Sequence, residues 1–182
     1  LSAINNWEDR SSCILFGDGA GAAVVRAEEG ELYPSVAGSD GTMGHVLACE
    51  SRVQNDWQQK EADRKTYIDM DGTAVFKFAV RKMPEMAKSL MTQMHCTEAD
   101  IDWFITHQAN ERIIEAIARR LKSDIAKFPM NIAECGNTSS ASIPILLDEM
   151  NRSGQLKDGQ KIIMAGFGAG LSWGAVYMEW HA

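Results

Sequence analysis

Between Val75 and Met94, apolar residues recur at Phe76, Ala79, Val80, Met83, Met86, Ala87, Leu90, Met91 and Met94. That spacing predicts a helix with one wide apolar face. Pro84 lies inside the run and should remove a hydrogen bond and kink the helix. A second stripe, Ile113, Ile114, Ile117, Ala118 and Leu121, predicts another helix, with Asn110 as its N-cap. Ser139 to Arg152 reads as a third, Ser-capped, with Pro144 early and Gly154 past its end. Among these helices lie strand-like runs: Asp102–Thr106, ending at His107, then Lys161–Ala165 and Ser172–Trp180, the last two joined by a Gly166–Gly170 loop. Near the start, Ser12–Phe16 and Ala22–Arg26 are short β-rich runs around Gly17–Gly21, a hairpin-like pair. Glu28–Glu31 is turn-like, residues 38–64 read as an irregular surface excursion, and Phe128–Gly136, with Pro129, is a connection. Strands alternating with helices after the opening pair predict a layered α/β domain.

Composition narrows the class. The 182 residues are 45% hydrophobic and 24% charged, the balance of a folded domain and not of a disordered chain. No apolar run approaches the roughly 20 residues of a membrane span; Lys161–Trp180 comes nearest, and glycines and Ser172 interrupt it. A net charge of −7 argues against general nucleic-acid binding. Cys13, Cys49, Cys96 and Cys135 are far apart, with no CxxC and no His at ligand spacing, so neither a metal site nor a disulfide framework is expected. Free thiols fit a reducing cytoplasm. Residue 1 is Leu and a strand-like run follows soon after, so the chain is expected to begin within a longer protein.

Two segments carry Gly-x-Gly-x-Gly: Gly17–Gly21 and Gly166–Gly170. A dinucleotide fingerprint needs that turn between a strand and a helix. Here β-rich runs follow both, which favours tight strand-to-strand turns. His107 closes a strand and precedes Gln108-Ala109-Asn110; alone, it reads by default as a structural histidine. Gly136-Asn137-Thr138-Ser139 alone reads as a turn and cap.

The order of segments decides more than any one of them. ILFGDGAGAAVV, MDGTAVFKFAV, DWFITHQANERI, GNTSSASIP and GFGAGLSWG follow one another along essentially the whole chain. In that order they resemble the C-terminal half of the β-ketoacyl-acyl-carrier-protein synthase III family. HQANxRI and GNTSxASIP carry the specificity; GDGAG alone carries little. The resemblance implies a thiolase-like α/β fold, residues 1–182 being the second half of a layered αβαβα architecture. It implies that His107 and Asn137 are the catalytic His and Asn and that Ala169 supplies an oxyanion-hole amide. It puts carrier-protein and coenzyme A contacts on Gln108, Ala109, Asn110, Glu111 and Arg112. Gly72, Thr73, Phe76 and Phe167 would line the channel. The acyl-accepting Cys belongs to the first half of such proteins, and none of the four cysteines here takes its place.

The implied reaction suits these residue types. A thiolate takes an acyl group from coenzyme A as a thioester. Malonyl-acyl-carrier protein then loses carbon dioxide, and negative charge grows on its thioester oxygen. An imidazole N–H and a side-chain amide, already oriented, stabilise that oxygen better than water does. No cofactor is implied. The implied partners are acyl carrier protein, a coenzyme A thioester, the other half of the protein and a second copy in a homodimer. Carrier proteins are acidic, so docking needs a local positive patch on this acidic chain. Arg112, Arg119, Arg120 and Lys122 could form one, interrupted by Glu111 and Glu115. Cys135 reads as small buried filler. A related synthase of secondary metabolism and a non-catalytic pairing half remain as alternatives.

Overall fold

A computed structural model describes residues 1–25, 29–49 and 67–181. Its strands are β1 (Ser35–Ser39), β2 (Leu47–Cys49), β3 (Ile68–Met70), β4 (Trp103–Thr106), β5 (Lys161–Gly168) and β6 (Ser172–Glu179). Its helices are α1 (Gly72–Gln93), α2 (Glu111–Leu121), the single turn α3 (Ile132–Cys135) and α4 (Ser142–Arg152). Four strands form one sheet in the order β1-β6-β5-β4; β2 and β3 form a separate antiparallel pair. Within the larger sheet only β4 and β5 run parallel.

Side chains alternate across a strand, and here the alternation builds two cores. Phe104, Ile163, Ala165, Ala175 and Tyr177 face α1 and α2. Ile105 and Ile162 face the other way, packing with Leu146 and Met150 of α4. The result is three layers, helix–sheet–helix. The α2 stripe is buried throughout: Ile113, Ile114, Ile117, Ala118 and Leu121. Each of its large aliphatic side chains contributes about 1.5–3 kcal/mol when fully buried. Asn110 caps α2, its side chain accepting the Arg112 N–H. Asp71 caps α1 in the same way, accepting from Thr73 and Ala74. The helix α1 continues through Pro84, which is itself buried.

Three expectations need correction. Ser12–Phe16 and Ala22–Val25 do not form a hairpin; Phe16 makes a lone parallel bridge to Asn137, and Arg26 lies outside the described residues. A strand needs a neighbour to receive its backbone bonds, and this segment has none beyond that bridge among the described residues. The stretch read as an irregular excursion from residue 38 holds the end of β1, a 3-10 turn at Gly41–Val46 and β2; residues 50–64 of it lie outside the described residues, as does Glu28 of the expected turn. Finally, no serine side chain caps the third helix. Ser139–Ala141 is a 3-10 turn, α4 starts at Ser142, and neither has a side-chain cap.

Candidate active site

A cavity of about 540 Å³ opens where the C-terminal ends of β4 and β5, the start of α2 and the turn before α4 converge. The parallel pairing of β4 and β5 explains that convergence, because it brings both strand ends to the same edge. The His107 N–H donates to Ala165 O at 2.8 Å and fastens the histidine loop to the neighbouring strand. His107, Asn137, Phe167 and Ala169 line the cavity, as do Gly72, Phe76, Ala109, Asn110 and Arg112.

The backs of both polar side chains are held. His107 Nδ1 lies 2.6 Å from Ser142 Oγ. Its ring meets Phe167 edge-on, centroids 5.5 Å apart. Burial lowers its pKa from 6.5 to about 4, so the ring is neutral at ordinary pH. Asn137 Oδ1 accepts the Ser139 N–H at 2.9 Å. Ser139 adopts the left-handed region, φ 57°, and that backbone turn aims its N–H back at Asn137. The Asn137 backbone is pinned from the other side: its N–H donates to Leu15 O at 2.8 Å, and its carbonyl accepts from Gly17 at 2.9 Å. With its oxygen engaged, the Asn137 amide has its NH2 end available. The site therefore offers a neutral imidazole and an amide to a developing negative oxygen, in a mainly apolar setting where such bonds are strong.

Three of the expected residues do not line the cavity. Gln108 is fully buried and makes no cavity contact. Its side-chain nitrogen donates to Thr106 O at 2.8 Å and Pro129 O at 3.4 Å, and its oxygen accepts from Asn131 N at 3.3 Å. Its side-chain amide is thus turned inward and bonded within the fold, away from the surface. Thr73 is exposed outside the cavity, with its N–H used by the Asp71 cap. Glu111 is exposed on the first turn of α2, also outside the lining. Conversely, Leu15, Phe16, Leu47, Met70, Val75 and Ile113 join the wall, and only tertiary packing brings them there. Cys49 also lines the cavity, and among the described residues no other cysteine does. Cys135 is half-buried, and burial with the nearby Glu149 and Glu134 pushes its thiol pKa up.

Comparison with known proteins bears on the whole arrangement. Residues 91–180 match the family model for the C-terminal part of 3-oxoacyl-[acyl-carrier-protein] synthase III, and residues 1–41 match the preceding model for the same enzymes. The chain belongs to the β-ketoacyl-acyl-carrier-protein synthase III family. It is 45% identical to a β-ketoacyl-[acyl-carrier-protein] synthase III of Clostridium novyi, over all of this chain and 56% of that relative. The synthase III structure from Pseudomonas aeruginosa superposes with a TM-score of 0.91 at 37% identity, over 100% of this chain and 56% of that one. A priming β-ketosynthase of a polyketide pathway superposes at 0.84 and 33% identity, over 98% of this chain and 54% of that one. These solved neighbours establish the thiolase-like α/β fold of the synthase III enzymes for this chain. It spans a little over half the length of the curated relatives it matches.

Proposed function

We propose that this chain is the His- and Asn-bearing part of a condensing acyltransferase. The reaction joins an acyl-coenzyme A primer to malonyl-acyl-carrier protein with loss of carbon dioxide, the first condensation of fatty acid synthesis. The observation that carries this reading is the single apolar cavity wall bearing both His107 and Asn137, each held from behind by another bond. In this reading, malonyl-thioester decarboxylation puts charge on the thioester oxygen, and the His107 N–H and Asn137 amide stabilise it. The released carbanion equivalent attacks the acyl carbon of a thioester on a cysteine outside these 182 residues, and the C–S bond breaks to release the cysteine thiolate. Ala169, on the exposed turn beside the cavity, supplies a backbone N–H for the second oxyanion.

The carrier protein is expected to dock around Arg112. That residue is exposed at the cavity wall, and among the described residues it has no ion pair; Glu115 pairs with Arg119 instead, at 3.6 Å. Phe76 separates the cavity from a second groove lined by Lys77, Arg81 and Arg120. This is a local positive field on a chain of net charge −7, suited to an acidic partner. Homodimer assembly and a cytoplasmic location belong to the same reading. So does the absence of any cofactor. A second reading, the priming synthase of a secondary pathway, draws on the polyketide ketosynthase likeness. The higher identity to fatty acid synthases favours the first.

The test is turnover. Residues 1–182 alone, given acyl-coenzyme A and malonyl-acyl-carrier protein, should give no condensation; turnover that survives alkylation of the cysteines would overturn the reading. Expressed with the N-terminal portion of its relatives, the protein should be active. His107→Ala should then lower kcat by about 10²–10³, the usual cost of one oxyanion donor. Arg112→Ala should leave kcat in place and raise the KM for malonyl-acyl-carrier protein in a salt-dependent way. An unchanged KM at every salt concentration removes Arg112 from the docking surface.

A further inference from the structure

Ser142 sits in the first turn of α4, only 2% exposed, behind the imidazole of His107. Its Oγ lies 2.6 Å from His107 Nδ1 and accepts the Gln108 backbone N–H at 3.3 Å. A hydroxyl has one proton to give and two lone pairs to accept with. In one arrangement Ser142 donates to Nδ1 and accepts from Gln108, and every polar atom of the group is satisfied. In the other, Nδ1–H and the Gln108 N–H both donate to Oγ. The serine proton is then buried with no acceptor among the described residues. Leaving a buried donor unmet costs about 1–3 kcal/mol. The two tautomers of a free imidazole differ by less than that, so the first arrangement dominates.

We propose that Ser142 is a positioning residue that holds His107 in its Nε2-protonated tautomer, so that the ring offers the cavity a donor and not a lone pair. The inference rests on the reading of His107 as an oxyanion donor, and it explains why that donor is ready before substrate arrives. An Nδ1-protonated ring would turn a lone pair toward a developing anion and repel it. Burial keeps the ring neutral, so the choice between tautomers is the whole question at working pH. Gln108 supports the device. Its backbone N–H occupies one lone pair of Oγ, and its buried side chain fixes that peptide against Thr106, Pro129 and Asn131. This gives the second residue of the HQAN motif an internal task in place of the expected docking one.

The tautomer can be read without turnover. In the 15N-histidine-labelled protein, expressed with the N-terminal portion of its relatives, long-range imidazole 1H–15N spectra distinguish the two forms. The His107 signals are assigned by their loss in His107→Gln. We expect the Nε2-protonated pattern, unchanged from pH 5 to 8. Ser142→Ala should release the ring to a mixture of tautomers. It should also lower kcat by roughly tenfold, a fraction of the cost of losing the donor outright, with the KM for malonyl-acyl-carrier protein unmoved. Ser142→Thr, which restores a hydroxyl, should recover both. An Nδ1-protonated ring in the unaltered protein overturns the proposal, whether or not the variants fold. So does a Ser142→Ala protein whose ring stays Nε2-protonated. The spectra also separate this proposal from the reading beneath it. An Nε2-protonated ring released by Ser142→Ala, in a protein that condenses nothing, leaves the serine's hold in place and removes the condensing function.

Discussion

Gly17–Gly21 and Gly166–Gly170 carry the same Gly-x-Gly-x-Gly pattern, each followed by an apolar run, and they end in opposite states. The second lies in the hairpin of β5 and β6, paired over eight positions and flanked by β4 and β1. Its turn needs glycine at one place: Gly170 has φ 136°, a conformation that side chains avoid. Among the described residues the first segment has no strand on either side of it, only the bridge of Phe16 to Asn137. Its glycines serve close approach, since a Cβ on Gly17 would come within 2.1 Å of the Cys135 carbonyl oxygen. The apolar run after it stands in the open, with Val24 fully exposed and Val25 nearly so. Propensity proposes a strand and a neighbour decides it. The same composition becomes core where the sheet receives it and bare surface where nothing does.

Several changes sharpen or break that contrast. The largest effect should come from the packed layers. Ile114, fully buried between α2 and the sheet, should cost about 2–5 kcal/mol on truncation to Ala. Urea unfolding measures this, and a loss under about 1 kcal/mol would mean that the layers are not the tight half of the comparison. Next is a pH effect at the seam between the two regions. As pH falls from about 6.5 toward about 4, the unfolded chain binds a proton at His107 that the folded chain refuses. Stability should therefore drop across that window and level off below it, by on the order of 3 kcal/mol in all. His107→Gln should flatten that part of the profile; an identical slope in the variant would assign it to other groups.

Smaller again are two glycine substitutions. Gly17→Ala forces backbone apart beside Asn137 and should cost about 1–3 kcal/mol. Gly166→Ala meets only Ile143 and His107 carbons at 3.8 and 3.9 Å and should cost less than about 1 kcal/mol. Equal costs would erase the distinction between a close approach at Gly17 and the roomier position of Gly166 within β5. The smallest effect is expected from Val24→Ser with Val25→Ser, within about 0.5 kcal/mol for the chain alone because neither residue touches a core. Their effect should show in association. The chain alone should self-associate through such exposed apolar surface, and light scattering should show less of it in the double variant. A clean 20.1 kDa monomer before any substitution would show that this surface attracts nothing.

What was legible in the sequence follows the same divide between local and distant causes. The stripes of α1 and α2, the Asn110 cap and the strands at residues 103–106 and 161–179 are written within a few turns of chain, and they were readable there. The strands β1, β2 and β3 were not. SVAGS, LAC and IDM are short and only weakly apolar, and they exist because partners line up beside them. Of the residues that line the cavity, His107, Asn137, Phe167 and Ala169 stand in motifs legible along the chain. Ser142 is not singled out by any motif, because nothing local shows that its hydroxyl turns to a histidine on another element. Gln108 was misplaced for a related reason. The resemblance implies a docking contact for it, and only the fold brings Thr106, Pro129 and Asn131 around its side chain.

That buried glutamine has a further consequence. By tying residue 108 to residues 129 and 131, it closes everything between them into a loop that leaves and returns at one fixed knot. Helix α2, with Arg112, Arg119 and Arg120 on its outer side, is the body of that loop. Its solvent-facing residues can change without moving the knot, so His107 and the turn that carries Asn137 keep their places. The fold thus separates the outer surface of α2 from the anchor of His107, so that a change on the one need not displace the other.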